Sequence, residues 1–246
     1  MASVSWLSVS HVRGCALVPR DELFFEREGV AENRRFVLVD ADGRRLTLSR
    51  AGALARVTTD YEPTAGRLAI RFPDAEEVAG HVELDGAVDV EFFGPRTVHG
   101  HVVRGPWAEA FSQYLGTDVR LVHIGQGAAH THDAVASLIA EASIAAALGG
   151  DVDARRFRIM IGLEGCRPHE EEDWLGSTVR LGEATLRVAS PIPRCVATKR
   201  NPDSGEIDLD TLSALQASRG SVDLGVAAEV VEPGRVRVGD WVAANI

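Results

Sequence analysis

The sequence predicts a mainly β protein with a few helices, of the α+β class, and three observations carry that reading. Short alternating or apolar runs recur along most of the chain and stop at Gly or Pro, the pattern of strands in a small barrel or sandwich. Few stretches have helical spacing. At 246 residues and 45% hydrophobic composition, the chain can bury one large core or two modest ones, so one or two domains are expected.

The elements follow in order. Residues 36–40 are an apolar run, Ala41-Asp-Gly43 is a hairpin signal, and residues 45–49 return with alternation. Residues 68–72 alternate again and stop at Pro73, and residues 81–85 and 87–93 read as a pair of strands across Gly86. Residues 107–115 follow Gly105-Pro106 and end at Gly116, which predicts a helix with a glycine C-terminal cap. Residues 119–124 read as a strand. Residues 134–148 fit one buried helix, or a strand followed by a helix starting near Ser143, with Gly149-Gly150 as the stop. Strands are expected again at 157–161, 178–181, 185–188 and 236–238. Residues 208–218 form a surface helix with Leu209, Leu212 and Leu215 as its apolar stripe. A change of domain falls around residues 94–118, although no linker composition marks it.

Composition excludes several function classes. A formal charge of −10 argues against nucleic acid as a partner. The most apolar stretch, residues 134–148, contains Glu141 and is shorter than the roughly 20 residues a bilayer requires, so no membrane span is expected. Residues 1–10 lack a basic region followed by an apolar one, and a cytoplasmic protein is expected. Lys199 is the only lysine. No Gly-Lys-Ser/Thr occurs, which removes a P-loop, and pyridoxal phosphate or other Schiff-base chemistry has only Lys199 to use. Cys15, Cys166 and Cys195 are odd in number and far apart, so neither a disulfide framework nor structural zinc is expected.

Four segments could carry chemistry. Gly125-Gln-Gly127-Ala-Ala-His130 follows a strand, but His130 stands where a dinucleotide loop needs its third glycine, and the surroundings are not βαβ; an ordinary glycine turn is expected. His130-Thr-His132-Asp133 could ligate zinc or iron, could be a polar loop, or could line a ligand without metal. Four acids from Glu170 to Asp173 could split their proton affinities as an acid–base pair; a solvated turn is the expectation. In Pro191-Ile-Pro193-Arg194-Cys195, prolines stiffen the approach and the arginine favours a thiolate, which could be a nucleophile, a sulfur carrier or a ligand for a soft metal. A buried cysteine on a strand accounts for that segment equally well.

The segments Asp153-Ala-Arg-Arg-Phe-Arg158, Glu172-Asp-Trp-Leu-Gly176, Pro193-Arg-Cys195-Val-Ala-Thr198, Asn201-Pro-Asp-Ser-Gly205 and Pro233-Gly-Arg-Val-Arg-Val-Gly-Asp240 stand in one order along the chain. Arg13-Gly14, Gly29-Val-Ala-Glu-Asn-Arg34 and Leu46-Thr-Leu-Ser-Arg50 precede them. In these motifs the chain resembles the MOSC family, named for the C-terminal domain of molybdenum-cofactor sulfurase, together with that family's N-terminal β-barrel region, and is similar to its amidoxime-reducing branch.

The resemblance implies a MOSC-type β-barrel over residues 101–246, preceded by a smaller N-terminal β-barrel-like domain over residues 1–100. It implies binding of the molybdenum cofactor (molybdopterin), a pterin dithiolene carrying molybdenum and phosphate. Cys195 would be the catalytic residue and the thiolate ligand to molybdenum. Arg34 and Arg158 would hold phosphate and pterin, as planar guanidinium donors suit oxyanions. Arg194, Ser10, His11, His132 and Asp133 would complete the cofactor site. This chain departs from the family pattern at Ser10-His11, where Lys-Ser is usual, and at Asn33, Met160 and Ala227, where Asp, Asn and Tyr are usual. The function implied is reduction of N-hydroxylated or N-oxide small molecules. Three scattered cysteines cannot hold an iron–sulfur cluster, so electrons would come from separate donor proteins of ferredoxin, flavodoxin or cytochrome type with a reductase. A sulfur carrier using a Cys195 persulfide and a non-catalytic cofactor-binding module are the alternatives.

Overall fold

The computed structural model describes residues 1–73, 75–92, 96–129 and 134–245. Its strands are β1 (Ser3–Val9), β2 (Val18–Arg20), β3 (Glu22–Phe25), β4 (Phe36–Asp40), β5 (Thr58–Glu62), β6 (Arg67–Arg71), β7 (Glu77–His81), β8 (Glu83–Glu91) and β9 (Thr97–Arg104). Helix α1 (Trp107–Leu115) leads to β10 (Val119–Ile124), β11 (Ala136–Ala140), α2 (Glu141–Leu148) and β12 (Ile161–Glu164). After β13 (Thr178–Leu181) and β14 (Ala184–Pro193) come α3 (Thr211–Arg219), β15 (Asp223–Glu232), β16 (Gly234–Arg237) and β17 (Val242–Asn245). The protein is mainly β with three helices, as expected.

Several local expectations are met for the reasons given. Gly116 closes α1 in the left-handed conformation, φ 66°. Asp210 caps α3 by accepting from the Ser213 amide, and Leu215 anchors its apolar stripe. The ambiguous stretch after residue 134 is a strand followed by a helix. Three other expectations need correction. After β4, Gly43 turns the chain, but residues 45–49 make only a bridge from Arg45 to Val39. They then bend into a turn closed by the Arg50 and Ala51 amides on the Thr47 carbonyl, while Leu46 and Leu48 stay buried. No hairpin forms across Gly86. β8 is continuous and pairs with β9, with Gly86 at the register irregularity between Leu84 and Ala87. Residues 157–161 are not a strand either. A 3₁₀ turn, Ala154–Phe157, is capped by Asp153, and β12 begins only at Ile161.

Two layers of sheet organise the molecule. An eight-stranded sheet runs β17-β13-β14-β15-β11-β12-β1-β2, and a four-stranded sheet runs β4-β10-β9-β8; β5-β6-β7 and β16-β3 form smaller ribbons. The barrel expected from the resemblance is not closed by a continuous ladder. Between β1 and the approach to β17 there is a single bridge, Ser3 to Trp241, flanked by backbone hydrogen bonds such as Val4 N to Asp240 O at 2.9 Å. One core packs Leu138, Ile161, Leu163, Leu186 and Val226 inside the large sheet. Another packs Phe36, Leu38, Leu68, Ile70 and Leu121 against Trp107 and Phe111 of α1. Burial of such side chains supplies most of the stabilisation, about 1.5–3 kcal/mol each.

The two cores are tied together at polar junctions. β1 starts the chain yet lies within the eight-stranded sheet, between β12 and β2. Arg200 donates to Ser49 O at 2.9 Å and Gly205 O at 2.7 Å, joining the turn at residues 201–205 to the N-terminal half. A third junction is buried. The His11 ring, fully out of solvent, meets Thr59 and Glu32, and Arg20 donates to the same Glu32 carboxylate at 2.7 Å. Burial alone would raise the Glu32 carboxyl, but hydrogen bonds from His11 and Arg20 outweigh it and hold it at about 2.

Two outcomes follow from these junctions. Gly205 sits at φ 76°, and a Cβ there would meet the carbonyl oxygen of Gly52, so Gly205→Ala should cost more than about 1 kcal/mol in chemical denaturation. Glu32, depressed in the folded state, contributes stability that is complete above the unfolded value near about 4.3 and is lost as pH falls toward 2. Thermal melts from pH 6 to 2 should therefore fall more steeply for the wild type than for Glu32→Gln. Parallel curves would show that the carboxylate carries no such linkage.

Candidate functional site

Backbone conformation marks the site first. Among the described residues, only Arg34 (φ 53°), Arg158 (φ 54°) and His169 (φ 63°) are non-glycine residues with positive φ. That region costs an L-residue about 1–2 kcal/mol, so it persists only where surroundings over-determine it. The Arg34 amide donates to Ser10 O at 2.7 Å, and the Arg158 amide to Arg155 O at 3.2 Å at the end of the 3₁₀ turn. The side chains interlock as well. Arg34 Nη2 donates to Arg158 O at 3.3 Å, and Arg158 Nη2 donates to Ser10 Oγ at 2.9 Å and Cys15 O at 2.6 Å.

Both arginines line a cavity of about 420 Å³ between the two cores. Arg13, Arg45, Arg156 and Arg194 line it too, and the described lining contains no Asp or Glu. Arg156 is paired outward with Asp208 at 2.7 Å. Burial lowers the guanidinium groups of Arg34 and Arg158 to about 10, with Arg158 and Arg45 adding repulsion at Arg34. Arg13 lies well below its ordinary value, from burial first and then from Arg34, Arg45 and Arg158. Like charges crowded together and partly removed from water favour an anionic occupant. The opposite wall is small and apolar, with Ala134, Ile159, Ile192, Pro193, Ala197 and Ala227.

Cys195 lies on the same cavity and is exposed, directly after β14, which ends at Pro193. Its carbonyl accepts from Thr198 N at 3.0 Å and Thr198 Oγ1 at 2.9 Å, which turns the chain sharply and leaves the thiol facing outward from the strand end. The other two thiols are poor nucleophiles. Burial pushes Cys15 up to about 12, and burial with Glu170 and Glu171 pushes Cys166 up to about 11. Arg194 lines the cavity, yet its donors go to backbone. Nε and Nη2 both reach Leu224 O, and Nη1 reaches Phe157 O at 2.9 Å, so it splints the cysteine segment to the residue before Arg158.

The remaining expected residues fall in different places. Ser10 stands behind the cavity wall, buried and bonded to Arg158. His11 is not among the residues lining the cavity, because its ring is taken by Thr59 and Glu32. His132 and Asp133 lie outside the described residues, as does His130, although the flanking Ala129 and Ala134 line the cavity. Among the described residues no group of three His, Cys, Asp or Glu could hold a metal ion. Gly127, at φ 72° and close to the Glu28 carbonyl, makes a packed turn. The acidic run is not wholly solvated. Glu171 is fully buried and accepts from Ser143 Oγ at 2.7 Å, and burial raises its carboxyl. Lys199 pairs with Asp210 at 2.7 Å. Arg13, Arg45 and Arg156 were not read as site residues. The usable signal was the arginine-only basic complement of an acidic chain, since arginine suits buried oxyanion contacts.

Comparisons with known proteins identify the family of the chain. Residues 1–118 match the MOSC N-terminal beta barrel domain and residues 120–243 match the MOSC domain. Mitochondrial amidoxime-reducing component 1 of Xenopus laevis is 26% identical over 280 residues, spanning 96% of this chain and 80% of that protein. Mitochondrial amidoxime reducing component 2 of Bos taurus is 24% identical over 251 residues, spanning 87% and 73%. The YUAD protein of Bacillus subtilis superposes over 99% of this chain and 96% of its own, with a TM-score of 0.47 and 12% identity. The expectation of a cytoplasmic protein is corrected by the two relatives, which are mitochondrial proteins by name. No described helix is long and apolar enough to cross a membrane. With both halves matched in order, the chain belongs to the MOSC family of molybdenum-cofactor-associated proteins, its MOSC domain preceded by that family's N-terminal barrel domain.

Proposed function

We propose that this protein is an oxidoreductase that uses the molybdenum cofactor to reduce N-hydroxylated or N-oxide small molecules, with Cys195 as the thiolate ligand to molybdenum. The observation that carries the reading is one cavity lined by an exposed cysteine and six arginines, with no carboxylate in the described lining. The residues present suit such a group. A pterin phosphate is an oxyanion of the kind that planar guanidinium groups bind, and a soft thiolate suits a metal already bound by sulfur. The names of the relatives support amidoximes as the substrate class.

In this reading Arg34 and Arg158, fixed in the left-handed conformation, hold the phosphate and pterin, and Arg13 and Arg45 add positive charge from the N-terminal half. Arg194 keeps the Cys195 segment in register with Arg158 through Phe157 O. Ile159, Ile192 and Pro193 offer an apolar surface to the organic part of a substrate. When bound, the cofactor supplies the two-electron centre for breaking the N–O bond. Overall, a hydroxylamine-type substrate takes up two electrons and two protons and leaves as the amine-type product and water. The electrons come from a separate donor protein.

Two measurements test this. Cys195→Ala, made in a cofactor-competent host, should retain less than about a tenth of wild-type molybdenum by mass spectrometry and should lose reduction of an N-hydroxyamidine with an artificial donor. Full metal content in that variant would defeat the reading. Sulfane sulfur on Cys195 without metal would point to sulfur carriage instead, and bound cofactor without turnover to a binding module. Arg158→Ala should weaken cofactor retention by about tenfold or more, since a charge-assisted bidentate contact is lost.

A further inference from the structure

His11 lies behind the cavity wall, yet both its ring and its backbone are committed. Nδ1 lies 3.0 Å from Thr59 O and 3.1 Å from Thr59 Oγ1, and Nε2 lies 2.8 Å from Glu32 Oε2. The carboxylate can only accept, so Nε2–H donates to Glu32, while Nδ1 is held between the carbonyl and the hydroxyl of Thr59, donating to the first or accepting from the second. Arg20 completes the group: Nη2 is 2.7 Å from the same Oε2 and Nε is 3.2 Å from Oε1. The His11 ring and Arg20 thus share one part-buried carboxylate, with Arg20 Nη2 3.2 Å from His11 Nε2.

The backbone of the same two residues carries the arginines. Ser10 O accepts the Arg34 amide at 2.7 Å, and His11 O accepts the Phe36 amide at 3.0 Å. Ser10 N donates to Asn33 Oδ1 at 3.1 Å, and Ser10 Oγ accepts from Arg158 at 2.9 Å. Glu32 is two residues before Arg34, so a ring of contacts closes: Glu32 side chain to His11 ring, His11 and Ser10 backbone to residues 33–36. Arg34 sits inside that ring in a backbone conformation it would not adopt alone.

We infer that His11 is a positioning residue: with Glu32 and Arg20 it forms a part-buried polar triad that holds Arg34 left-handed and so sets the anion affinity of the cavity without touching the anion. The inference rests on the proposed anion-binding role of the cavity. Sulfate is a suitable probe, because its charge is constant near neutral pH. Titration calorimetry with the full chain should show sulfate binding to the wild type, weakened by Arg34→Ala. Glu32→Gln and His11→Gln should each weaken it about tenfold or more while both proteins remain folded at the titration temperature. A role in stability alone would lower the melting temperature and leave the affinity of the folded protein unchanged. His169→Gln, at the other left-handed residue, should leave sulfate affinity unchanged. Nitrogen-15 spectra should show the His11 Nε2 proton in a hydrogen bond in the wild type and lose that signature in Glu32→Gln.

Wild-type sulfate affinity in folded Glu32→Gln overturns the inference. Should His11→Gln not fold, Glu32→Gln and Arg20→Gln carry the test on the part-exposed side of the triad. Absence of sulfate binding in the wild type, or binding that Arg34→Ala leaves intact, removes the anion-cavity reading and this inference with it.

Discussion

Guanidinium groups crowded around one cavity, with no carboxylate in its described lining, are the constraint on which the rest depends. Removing such charges from water is costly unless something compensates them. The protein compensates partly with backbone carbonyls: Arg158 on Cys15 O, Arg194 on Leu224 and Phe157 O, Arg13 on Ala129 O. Carbonyl dipoles orient the side chains without cancelling their charge, so an attraction for anions is left over. Carboxylates are placed one step away instead, as in Asp208 on Arg156 and the Asp153 and Asp203 pair on Arg155. The result is a positive hole in a molecule whose formal charge is −10.

The cavity belongs to neither half alone. Arg13, Arg34 and Arg45 come from the first fifty residues, while Arg158, Arg194 and Cys195 come from the region of the large sheet. Their relative placement is set by contacts that cross between the halves: β1 in the eight-stranded sheet, Arg200 on Ser49 O, and the seating of Arg158 on Ser10 and Cys15. Geometry at the thiol therefore depends on residues far away in the chain.

What the sequence revealed depended on how local the cause was. Helix α1 and strand β10 were legible because glycine caps and apolar spacing act within a few residues. Segments 45–49 and 157–161 were misread because both carry strand-like alternation, whereas capping by Asp153 and the bend at Thr47 decide their shape. β1 went unnoticed since its partners, β12 and β2, include one more than 150 residues away. At the site, Cys195, Arg34 and Arg158 could be singled out through family motifs, while Arg13 and Arg45 reach the cavity through turns that no period in the sequence announces. Glu171 shows the converse: four consecutive acids suggest solvent, but Ser143 and the surrounding core take in the second of them.

The placement of β1 also bears on how the chain acquires its shape. The first strand made must wait for residues 161–164 before its inner edge is paired, which gives the fold a large share of distant contacts and a slow, late closing step. Cutting the chain between the two matched halves would leave β12 with an open ladder of amides and carbonyls, a surface that invites self-association. The two halves thus share one sheet, even though their motifs can be told apart.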